Sequence, residues 1–191
     1  MYLFFDTETT GKAKNFNASF KDIDNWPRIT QLAWQVYSKE GKLFKSYSSL
    51  IKPDGWEIPK EQFFIDNNMS TERCEKDGVD LKKVIDLFVI ELNQCKFLLA
   101  HNMSFDLNVM ACEMFRTGIT AENKPVKFCT MKSMTDIMQL PGPYGFKYPS
   151  LNELHNWLFG CSFEGAHDAL DDVKATAKCF FELKRKKLIT I

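Results

Sequence analysis

The stretch Tyr2-Leu3-Phe4-Phe5-Asp6-Thr7-Glu8-Thr9-Thr10-Gly11 joins a short apolar run to two acids. The continuous run Tyr2–Phe5 predicts a strand buried on both faces. Because side chains alternate along a strand, Asp6 and Glu8 are expected to point the same way at its end. Two carboxylates this close repel each other unless they are open to water or neutralised by a cation, and oxygen ligands suit Mg²⁺. On this motif alone, an ordinary strand end with two solvated acids stays an equal alternative.

Outward from this stretch, short apolar runs and helical periodicity predict the remaining elements. The other predicted strands are Ile29–Tyr37, Leu43–Ile51, Phe97–Ala100 and Val126–Cys129, with a tight turn at Glu40–Lys42. The predicted helices are Pro59–Asn68, Leu81–Leu92, one capped by Ser104 and running to about Phe115, Met131–Met138, Leu151–Phe159 and Ala169–Lys186. Pro141–Gly145 is expected to be an irregular loop. Three strands followed by helices that alternate with two strands predict an α/β fold with a mixed sheet covered by helices.

Length and composition describe one folded unit without a strongly charged surface. The 191 residues fit a single domain, 1–191, and a hydrophobic fraction of 45% with 17 Phe predicts a packed core. Lys+Arg and Asp+Glu both number 25, so the net charge is zero. A protein that coats duplex DNA is usually basic, so any nucleic-acid contact is expected to be local, at one chain end in a cleft.

The cysteines and the N-terminus bear on the compartment. The six cysteines include no C-x-x-C pair, so neither a zinc site nor a redox dithiol is indicated, and buried reduced thiols are favoured. The segment Met1–Asp6 lacks the basic and long apolar regions of a signal peptide. No segment approaches the length of a membrane span. We therefore expect a cytoplasmic protein with no membrane partner.

A further acid follows the predicted strand Phe97–Ala100. Asp106 lies in the first turn of the next helix, where the helix dipole alone would favour an acid. Ligand sites in open sheets gather where strand ends lead into helices, which makes Asp106 a candidate ligand. His101 and Asn102 either contact substrate or make structural hydrogen bonds, and the structural role is at least as well supported.

Helical geometry distinguishes the acids of the last group. Asp168 precedes the helix as a cap, and Asp171 shares a face with two lysines, so it is expected to be solvated. Asp172 lies on a face of small residues beside the apolar line of the helix, so it can approach the sheet and is the better ligand. His167, just before the helix, suits a general base because histidine titrates near neutrality. His155 is interpreted as structural or surface.

Taken in order, three segments resemble the motifs of the DEDDh 3′–5′ exonucleases, the family of RNase T and of the proofreading (epsilon) subunit of bacterial replicative DNA polymerase. The segments are Phe5–Gly11, Ala100–Asp106 and His167–Asp172. The last fits His-x-Ala-x-x-Asp, which selects Asp172 over Asp171. Each motif alone is weak, whereas all three in order are specific, and the resemblance runs from residue 2 to about residue 183. It implies a ribonuclease H-like fold with a five-stranded mixed sheet flanked by helices.

The resemblance also implies a mechanism with two divalent metal ions, Mg²⁺ or Mn²⁺. Asp6, Glu8 and Asp172 would hold the ion that carries the attacking water, and Asp6 would bridge to the second ion. Asp106 would act on that second ion, and His167 would take the proton of the water. These residues form the predicted catalytic set, and the carboxylates among them are the predicted metal ligands. The product would be a nucleoside 5′-monophosphate.

Residues beside the acids would contact the terminal nucleotide by the same resemblance. The candidates for substrate binding are Thr9, Thr10, Gly11, His101, Asn102 and Phe105, with Phe105 favoured as a packing residue. The loop Lys12–Arg28 is longer than in compact relatives. Its aromatic side chains either stack on bases or pack on the domain, and packing is favoured; they are Phe16, Phe20 and Trp26.

The expected function is therefore metal-dependent removal of nucleotides from single-stranded 3′ ends, with DNA favoured, in a proofreading or repair-like role. RNA or short oligonucleotides are the alternative substrates. A non-catalytic nucleic-acid-binding domain is less favoured, because no motif acid or histidine is missing. The sequence stops at Ile191, just after the last predicted helix, so the resemblance does not extend to the tail that joins the proofreading subunit to its polymerase. No stable polymerase partnership is therefore expected, and the oligomeric state is left open.

Overall fold

The computed structural model describes residues 1–191. The strands are β1 Tyr2–Thr9, β2 Ile29–Tyr37, β3 Leu43–Leu50, β4 Phe97–Ala100, β5 Val126–Cys129, β6 Pro141–Gly142 and β7 Gly145–Phe146. The helices are α1 Gln62–Asp66, α2 Thr71–Asp77, α3 Leu81–Gln94, α4 Met103–Thr117, α5 Thr130–Met138, α6 Leu151–Phe159 and α7 Ala169–Arg185.

One mixed sheet organises the chain, with five strands in the order β3-β2-β1-β4-β5. β2 is antiparallel to β1 and β3, whereas β4 is parallel to β1 and β5. This is the mixed five-stranded sheet flanked by helices that the sequence predicts. Because β1, β4 and β5 run the same way, their C-terminal ends at Thr9, Ala100 and Cys129 meet at one edge of the sheet. Loops that lead from such an edge into helices commonly carry functional residues.

The two faces of β1 belong to two different cores. Leu3 and Phe5 pack in the larger core, with α3 and α4. Tyr2 and Phe4 face α7 on the other side of the sheet, and their ring centroids lie 5.2 and 5.4 Å from that of Phe180. The first half of β1 is therefore buried on both faces, as its continuous apolar run predicts.

The region between β3 and α3 differs from the prediction. The predicted helix Pro59–Asn68 is reduced to α1, Gln62–Asp66. The sequence pattern does not predict α2, because this helix buries only Cys74 and has no apolar stripe. Its N-cap is the Ser70 hydroxyl, which accepts a hydrogen bond from the Arg73 amide at 3.2 Å.

Two local details also differ from the prediction. The N-cap of α4 is Asn102, in the left-handed conformation with φ 63°, and not Ser104. The predicted irregular loop Pro141–Gly145 contains a small antiparallel pair, β6 with β7, in which Gly142 is opposite Gly145. A Cβ on Gly142 would lie 3.0 Å from the Gly145 carbonyl oxygen, so a side chain here would have to displace the facing backbone slightly.

The cysteines form no disulfide, and four of the six are buried, as expected for reduced thiols. None of the helices combines the length and the apolar character that crossing a bilayer requires.

Candidate active site

Three carboxylates from two elements converge at the C-terminal end of β1. Asp6 and Glu8 lie at alternate positions of β1, and Asp172 reaches them from the first turn of α7. One ligand oxygen from each lies within 4.8 Å of the others, and all three residues are only partly exposed. Asp171, which helix geometry predicted to be solvated and not a ligand, forms an ion pair with Lys174 at 2.8 Å. The structure thus brings together three of the predicted metal ligands.

Asp106 comes to the same end of β1 from α4, which packs on the opposite face of the sheet. It is buried, with 3% exposure. Its Oδ1 accepts hydrogen bonds from the Thr7 hydroxyl at 2.7 Å and from the Thr7 amide at 3.2 Å. Because side chains alternate, Thr7 points to the face opposite that of Asp6 and Glu8 and so meets α4. Sequence reasoning missed Thr7, whose hydrogen-bond partner is 99 residues away in the chain.

Burial, with repulsion among the carboxylates, raises the pKa of every acid in this group. The pKa of Glu8, of Asp106 and of Asp172 is raised to about 7, with burial the largest cause in each case. Burial also raises the pKa of Asp6 well above its ordinary value, and repulsion from the other acids, including Asp168, adds to the rise. Without a positive charge nearby, the group therefore resists full ionisation at neutral pH.

The donor set fits a hard divalent cation. Every candidate ligand is a carboxylate oxygen, the type that Mg²⁺ and Mn²⁺ prefer. The Oδ1 atom of Asp172 is buried and has no hydrogen-bond partner, which is unusual for a charged acceptor. A cation held by Asp6, Glu8 and Asp172 would satisfy this oxygen and offset the repulsion that raises their pKa values.

His167 lies at the rim of the acidic group. It lines a small recess together with Glu8 and Thr9. Phe63 of α1 packs edge-on against the imidazole, with the two ring centroids 5.1 Å apart. The backbone of His167 is left-handed, with φ 73°, in the turn that leads into α7. The structure thus places the predicted base next to a predicted ligand, and it adds Phe63 as a neighbour that the sequence did not indicate.

Two polar residues hold the start of α7 against the sheet. Asp168 caps the helix, as predicted, by accepting hydrogen bonds from the amides of Leu170 and Asp171. Its other oxygen accepts a hydrogen bond from Gln31 Nε2 at 3.0 Å, and Gln31 Oε1 accepts one from the Ala169 amide at 3.3 Å. In the sequence, the role of Gln31 is indicated by its polar side chain within the mostly apolar strand β2, because a buried amide needs hydrogen-bond partners.

The end of β4 carries His101 and Asn102. Both ring nitrogens of His101 are engaged within the protein, Nδ1 with Thr130 Oγ1 at 2.9 Å and Nε2 with the Pro149 carbonyl oxygen at 3.0 Å. Burial lowers the pKa of His101 to about 4, so its ring is neutral at physiological pH. This geometry favours the structural alternative for His101. The Asn102 side chain makes no capping hydrogen bond to α4.

Thr9, Thr10 and Gly11 lead from β1 into the following loop. The Thr9 hydroxyl donates to the Gly11 carbonyl at 2.7 Å. The Thr10 amide donates to the Arg28 carbonyl at 2.9 Å, and the Thr10 hydroxyl accepts from the Arg28 amide at 3.0 Å. A Cβ at Gly11 would contact nothing within 4 Å, so the backbone is open to a ligand here.

Aromatic side chains of the loop Lys12–Arg28 pack on α4. Trp26 is buried, and its ring centroid lies 6.4 Å from that of Phe105. The Phe16 ring lies 6.2 Å from the same Phe105 ring but is 59% exposed, and Phe20 packs on the last turns of α4. Packing, the favoured alternative, therefore describes Trp26 fully, and Phe16, Phe20 and Phe105 in part.

Charged side chains fix the same loop to α4. Glu113 is fully buried and accepts hydrogen bonds from Arg28 Nε at 2.8 Å and from the Ile29 amide at 3.2 Å. The Arg116 guanidinium donates to three backbone carbonyls of the loop, those of Ile23, Trp26 and Pro27. The loop is therefore held in one position beside the first acidic motif.

A mixed sheet in this strand order, with carboxylates from a central strand and two flanking helices converging at one edge, defines a nuclease-like protein of the ribonuclease H-like fold. A family model described as an exonuclease, of the RNase T type, matches residues 3–180. The chain belongs to this exonuclease family.

Relatives match nearly the whole chain, one in sequence and one in fold. A DNA polymerase III of PolC type from Caldanaerobacter subterraneus subsp. tengcongensis is 25% identical over 185 residues, which are 97% of this chain and 12% of that protein. The crystal structure of E. coli Exonuclease I in complex with a dT13 oligonucleotide superposes with a TM-score of 0.77 at 17% identity, over 97% of this chain and 41% of that one. A zinc-bound complex of the same E. coli enzyme with single-stranded DNA gives a TM-score of 0.74 at 19% identity, over 98% and 41% of the two chains. The chain thus spans less than half the length of each of these relatives.

Proposed function

We propose that this chain is a metal-dependent 3′–5′ exonuclease that releases nucleoside 5′-monophosphates from single-stranded ends, with DNA as the preferred substrate. The observation that carries the proposal is the convergence of Asp6, Glu8 and Asp172 around an unsatisfied buried oxygen in a member of an exonuclease family. The DEDDh motifs support the 3′ to 5′ direction. The solved complexes of E. coli Exonuclease I with single-stranded DNA support the choice of substrate.

The carboxylates are proposed to bind divalent cations. Asp6, Glu8 and Asp172 provide the first set of oxygens, and Asp106 provides another from the opposite face of the sheet. Bound Mg²⁺ or Mn²⁺ supplies positive charge to the phosphate and a water that ionises more readily. Thr7 holds the Asp106 carboxylate in place through its hydroxyl and its amide.

His167 is proposed to take the proton from the attacking water. Its place at the rim, beside Glu8, lets the imidazole reach the space in front of the carboxylates without being a ligand itself. A base in this role contributes about 10² to 10⁴-fold to the rate.

The terminal nucleotide is proposed to lie between the loop after β1 and the start of α4. Gly11 offers open backbone there, and Thr9 and Thr10 flank it. Asn102, the N-cap of α4, and Phe105, in its first turn, are proposed to contact the nucleotide from the other side, and the Phe105 ring also packs on Trp26. His101 is assigned a supporting role, because its two nitrogens are already engaged.

A degradation assay tests the proposal. Single-stranded DNA and RNA of equal sequence, labelled at the 5′ end, are incubated with the purified chain in Mg²⁺, in Mn²⁺ and in EDTA. We expect stepwise shortening of the DNA from its 3′ end with either metal, slower shortening of the RNA, and none in EDTA. The released product is identified by chromatography as the 5′-monophosphate.

Matched variants show whether the acidic group is responsible. Asp6→Asn should abolish shortening, whereas Asp171→Asn should leave it unchanged, because Asp171 is paired with Lys174 outside the group. No shortening of either substrate in either metal, or equal activity of Asp6→Asn and the native chain, would exclude the proposed function. His167→Ala should lower turnover far more than metal affinity, and equal losses in both would argue against its role as a base.

A further inference from the structure

A short segment with exposed aromatic side chains ends at a contact with His101, in the motif that carries Asp106. It comprises residues Leu140–Pro149, includes β6 and β7, and is called here the aromatic hairpin. Tyr144 at its tip is fully exposed, at 102%, while Phe146 and Tyr148 are 50% and 59% exposed. Three exposed rings at alternate positions of one short segment form a surface suited to binding, since large apolar groups left in water usually mark an interaction site.

The aromatic hairpin is attached to the sheet edge at which the acids lie. The Pro149 carbonyl is 3.0 Å from His101 Nε2, and His101 directly follows β4 and precedes Asp106 in the same motif. The helix before the hairpin, α5, begins at Thr130, directly after β5. Because β1, β4 and β5 are parallel, the hairpin therefore returns to the edge that also carries the acids of β1. Of the three aromatic residues, Tyr148 is the closest in sequence to Pro149, the residue that contacts His101.

The backbone of the aromatic hairpin is fixed although its rings are exposed. Gly142 and Gly145 pair across β6 and β7, and the Lys147 amide donates to the Leu140 carbonyl at 2.9 Å. The Lys147 side chain forms an ion pair with Glu153 of α6. Rings presented on an ordered backbone lose little conformational freedom when a ligand stacks on them, which favours binding.

We propose that the aromatic hairpin binds the single strand that leads away from the terminal nucleotide, with its rings stacking on successive bases. This inference rests on the proposed exonuclease function and extends it to the strand upstream of the cleaved bond. Stacking on aromatic side chains tolerates any base sequence and needs no positive charge, which suits a chain of zero net charge.

The dimensions match a strand of a few nucleotides. From Pro149 to Tyr144 the extended chain spans at most about 17 Å. Nucleotides stacked at about 3.4 Å each cover this length in about five steps. The contacts are therefore expected at the first few nucleotides beyond the terminal one.

The test is the length dependence of single-strand binding under conditions without turnover. The native chain and the triple variant Tyr144→Ser, Phe146→Ser and Tyr148→Ser are titrated with 5′-labelled dT2, dT4, dT8 and dT12 in Ca²⁺, and fluorescence anisotropy gives Kd. We expect native affinity to rise from dT2 to dT8. The triple variant should bind dT8 at least about 5-fold more weakly than the native chain, the lower bound for one lost stacking contact. Its affinity for dT2, and its rate of dT2 cleavage in Mg²⁺, should match those of the native chain.

The matched control is Phe44→Ser. Phe44 has similar exposure, at 51%, but lies on β3, the outer strand on the other side of the sheet from β5. The Phe44→Ser variant should bind dT2, dT4, dT8 and dT12 with the same affinities as the native chain. An equal loss at dT2 and dT8 in the triple variant, or no loss at dT8, overturns the hairpin proposal. If the native chain shortens DNA while the triple variant keeps its dT8 affinity, the exonuclease function stands and the hairpin proposal falls. A native chain that shortens nothing overturns both.

Photocrosslinking locates the contact without metal. Oligonucleotides that carry one 5-iodouracil at successive distances from the 3′ end are irradiated with the native chain in EDTA, and mass spectrometry identifies the linked residue. Probes a few nucleotides from the 3′ end should link to Tyr144, Phe146 or Tyr148, and the terminal probe should not. Links only to other parts of the chain contradict the proposal. That result is also the one expected if the hairpin binds a partner protein and not the DNA strand.

Discussion

β1 and α7 form one packed pair whose two ends have opposite chemistry. At one end, Tyr2 and Phe4 pack against Phe180 with ring centroids 5.2 and 5.4 Å apart. At the other end, Asp6 and Asp172 place carboxylate oxygens within 4.8 Å of each other, and burial raises the pKa of both. The strand and the helix run in opposite directions, so their shared surface changes from aromatic to acidic within a few residues.

This difference separates the groups that stabilise the fold from the groups that the fold positions. Burial of aromatic rings stabilises the folded state. Burial of carboxylates without a counter-charge costs free energy. Both ends belong to the same two elements, so the aromatic end stabilises the packing of strand and helix, and the acids lie at its other end. Substitutions at the two ends should therefore have opposite effects on stability and on activity.

The largest expected effect is at the aromatic end. Phe180→Ala removes a fully buried ring that contacts both Tyr2 and Phe4, and it should lower the free energy of unfolding by about 3 to 5 kcal/mol. The activity per folded molecule should be retained, because no group near the phosphate is changed. Urea denaturation, with activity measured below the transition, checks both parts. Phe181→Ala should cost less, because that ring is only partly buried.

At the acidic end, Asp172→Asn should have the reverse effect. Activity in Mg²⁺ should fall by about 10² to 10³-fold, because one carboxylate proposed to hold the cation is lost. The metal-free protein should become more stable, because a buried carboxylate that repels its neighbours is neutralised. Nucleotide release and urea denaturation in EDTA measure the two effects. A loss of both activity and stability in Asp172→Asn would contradict the opposite effects that we expect at the two ends.

The pH dependence of stability sharpens the comparison further. In the folded state the pKa of Glu8, of Asp106 and of Asp172 is raised to about 7, from ordinary values of 4.5, 3.8 and 3.8. Between these limits the folded protein binds more protons than the unfolded chain, so its stability falls as pH rises through that window. We expect the metal-free protein to lose stability between pH 5 and pH 8, by up to about 2.7 kcal/mol for each of these groups that ionises.

Added Mg²⁺ should restore most of that loss at pH 8, since a ligand that binds only the folded state stabilises it. Urea titrations at the two pH values, with and without Mg²⁺, give the four free energies. Asp171→Asn should show nearly the same pH dependence as the native chain, because Asp171 is the smallest of the causes that raise the pKa of Asp172. A stability that does not change over this range, or one that rises with pH in EDTA, would contradict the raised pKa values.

The smallest of these effects concerns the contact between Thr7 and Asp106. Thr7→Val removes the hydroxyl that donates to Asp106 Oδ1 at 2.7 Å but keeps the amide donor. We expect turnover to fall by about 10-fold, equivalent to about 1.4 kcal/mol. Thr7→Ser, which keeps the hydroxyl, should retain most of the native rate. If Thr7→Val and Thr7→Ser are equally slow, the hydroxyl has no role in holding the acid.

The fold was largely predictable because its central elements have strong local patterns. The apolar run of β1 and the periodic apolar stripe of α3 each determine their element without distant contacts. α2 has no such pattern, since only Cys74 is buried, and it is stabilised by its cap and its tertiary position. The cap of α4 was predicted wrongly at Ser104, because the left-handed Asn102 is fixed by the turn out of β4 and not by a local side-chain hydrogen bond.

The site divides in the same way. Alternation along β1 and the small-residue face of α7 predict that Asp6, Glu8 and Asp172 can meet. The hydrogen-bond partners of the other two acids, Asp106 and Asp168, were not predictable, because Thr7 and Gln31 are 99 and 137 positions away from them in the chain. Such hydrogen bonds depend on how the sheet and helices pack, which no local pattern records.

The pairing of Thr10 with Arg28 has a practical consequence for protein engineering. These two residues join the ends of the loop Lys12–Arg28 through two hydrogen bonds, so the loop is closed at its base. In such a closed loop, extra residues at the tip add little entropic cost, about 0.6 kcal/mol for each doubling of length. A peptide tag inserted at the exposed tip, near Asn17, should therefore leave the base and the acids in place. The tip is thus a suitable attachment point for a fluorophore or a surface tether close to the cleft.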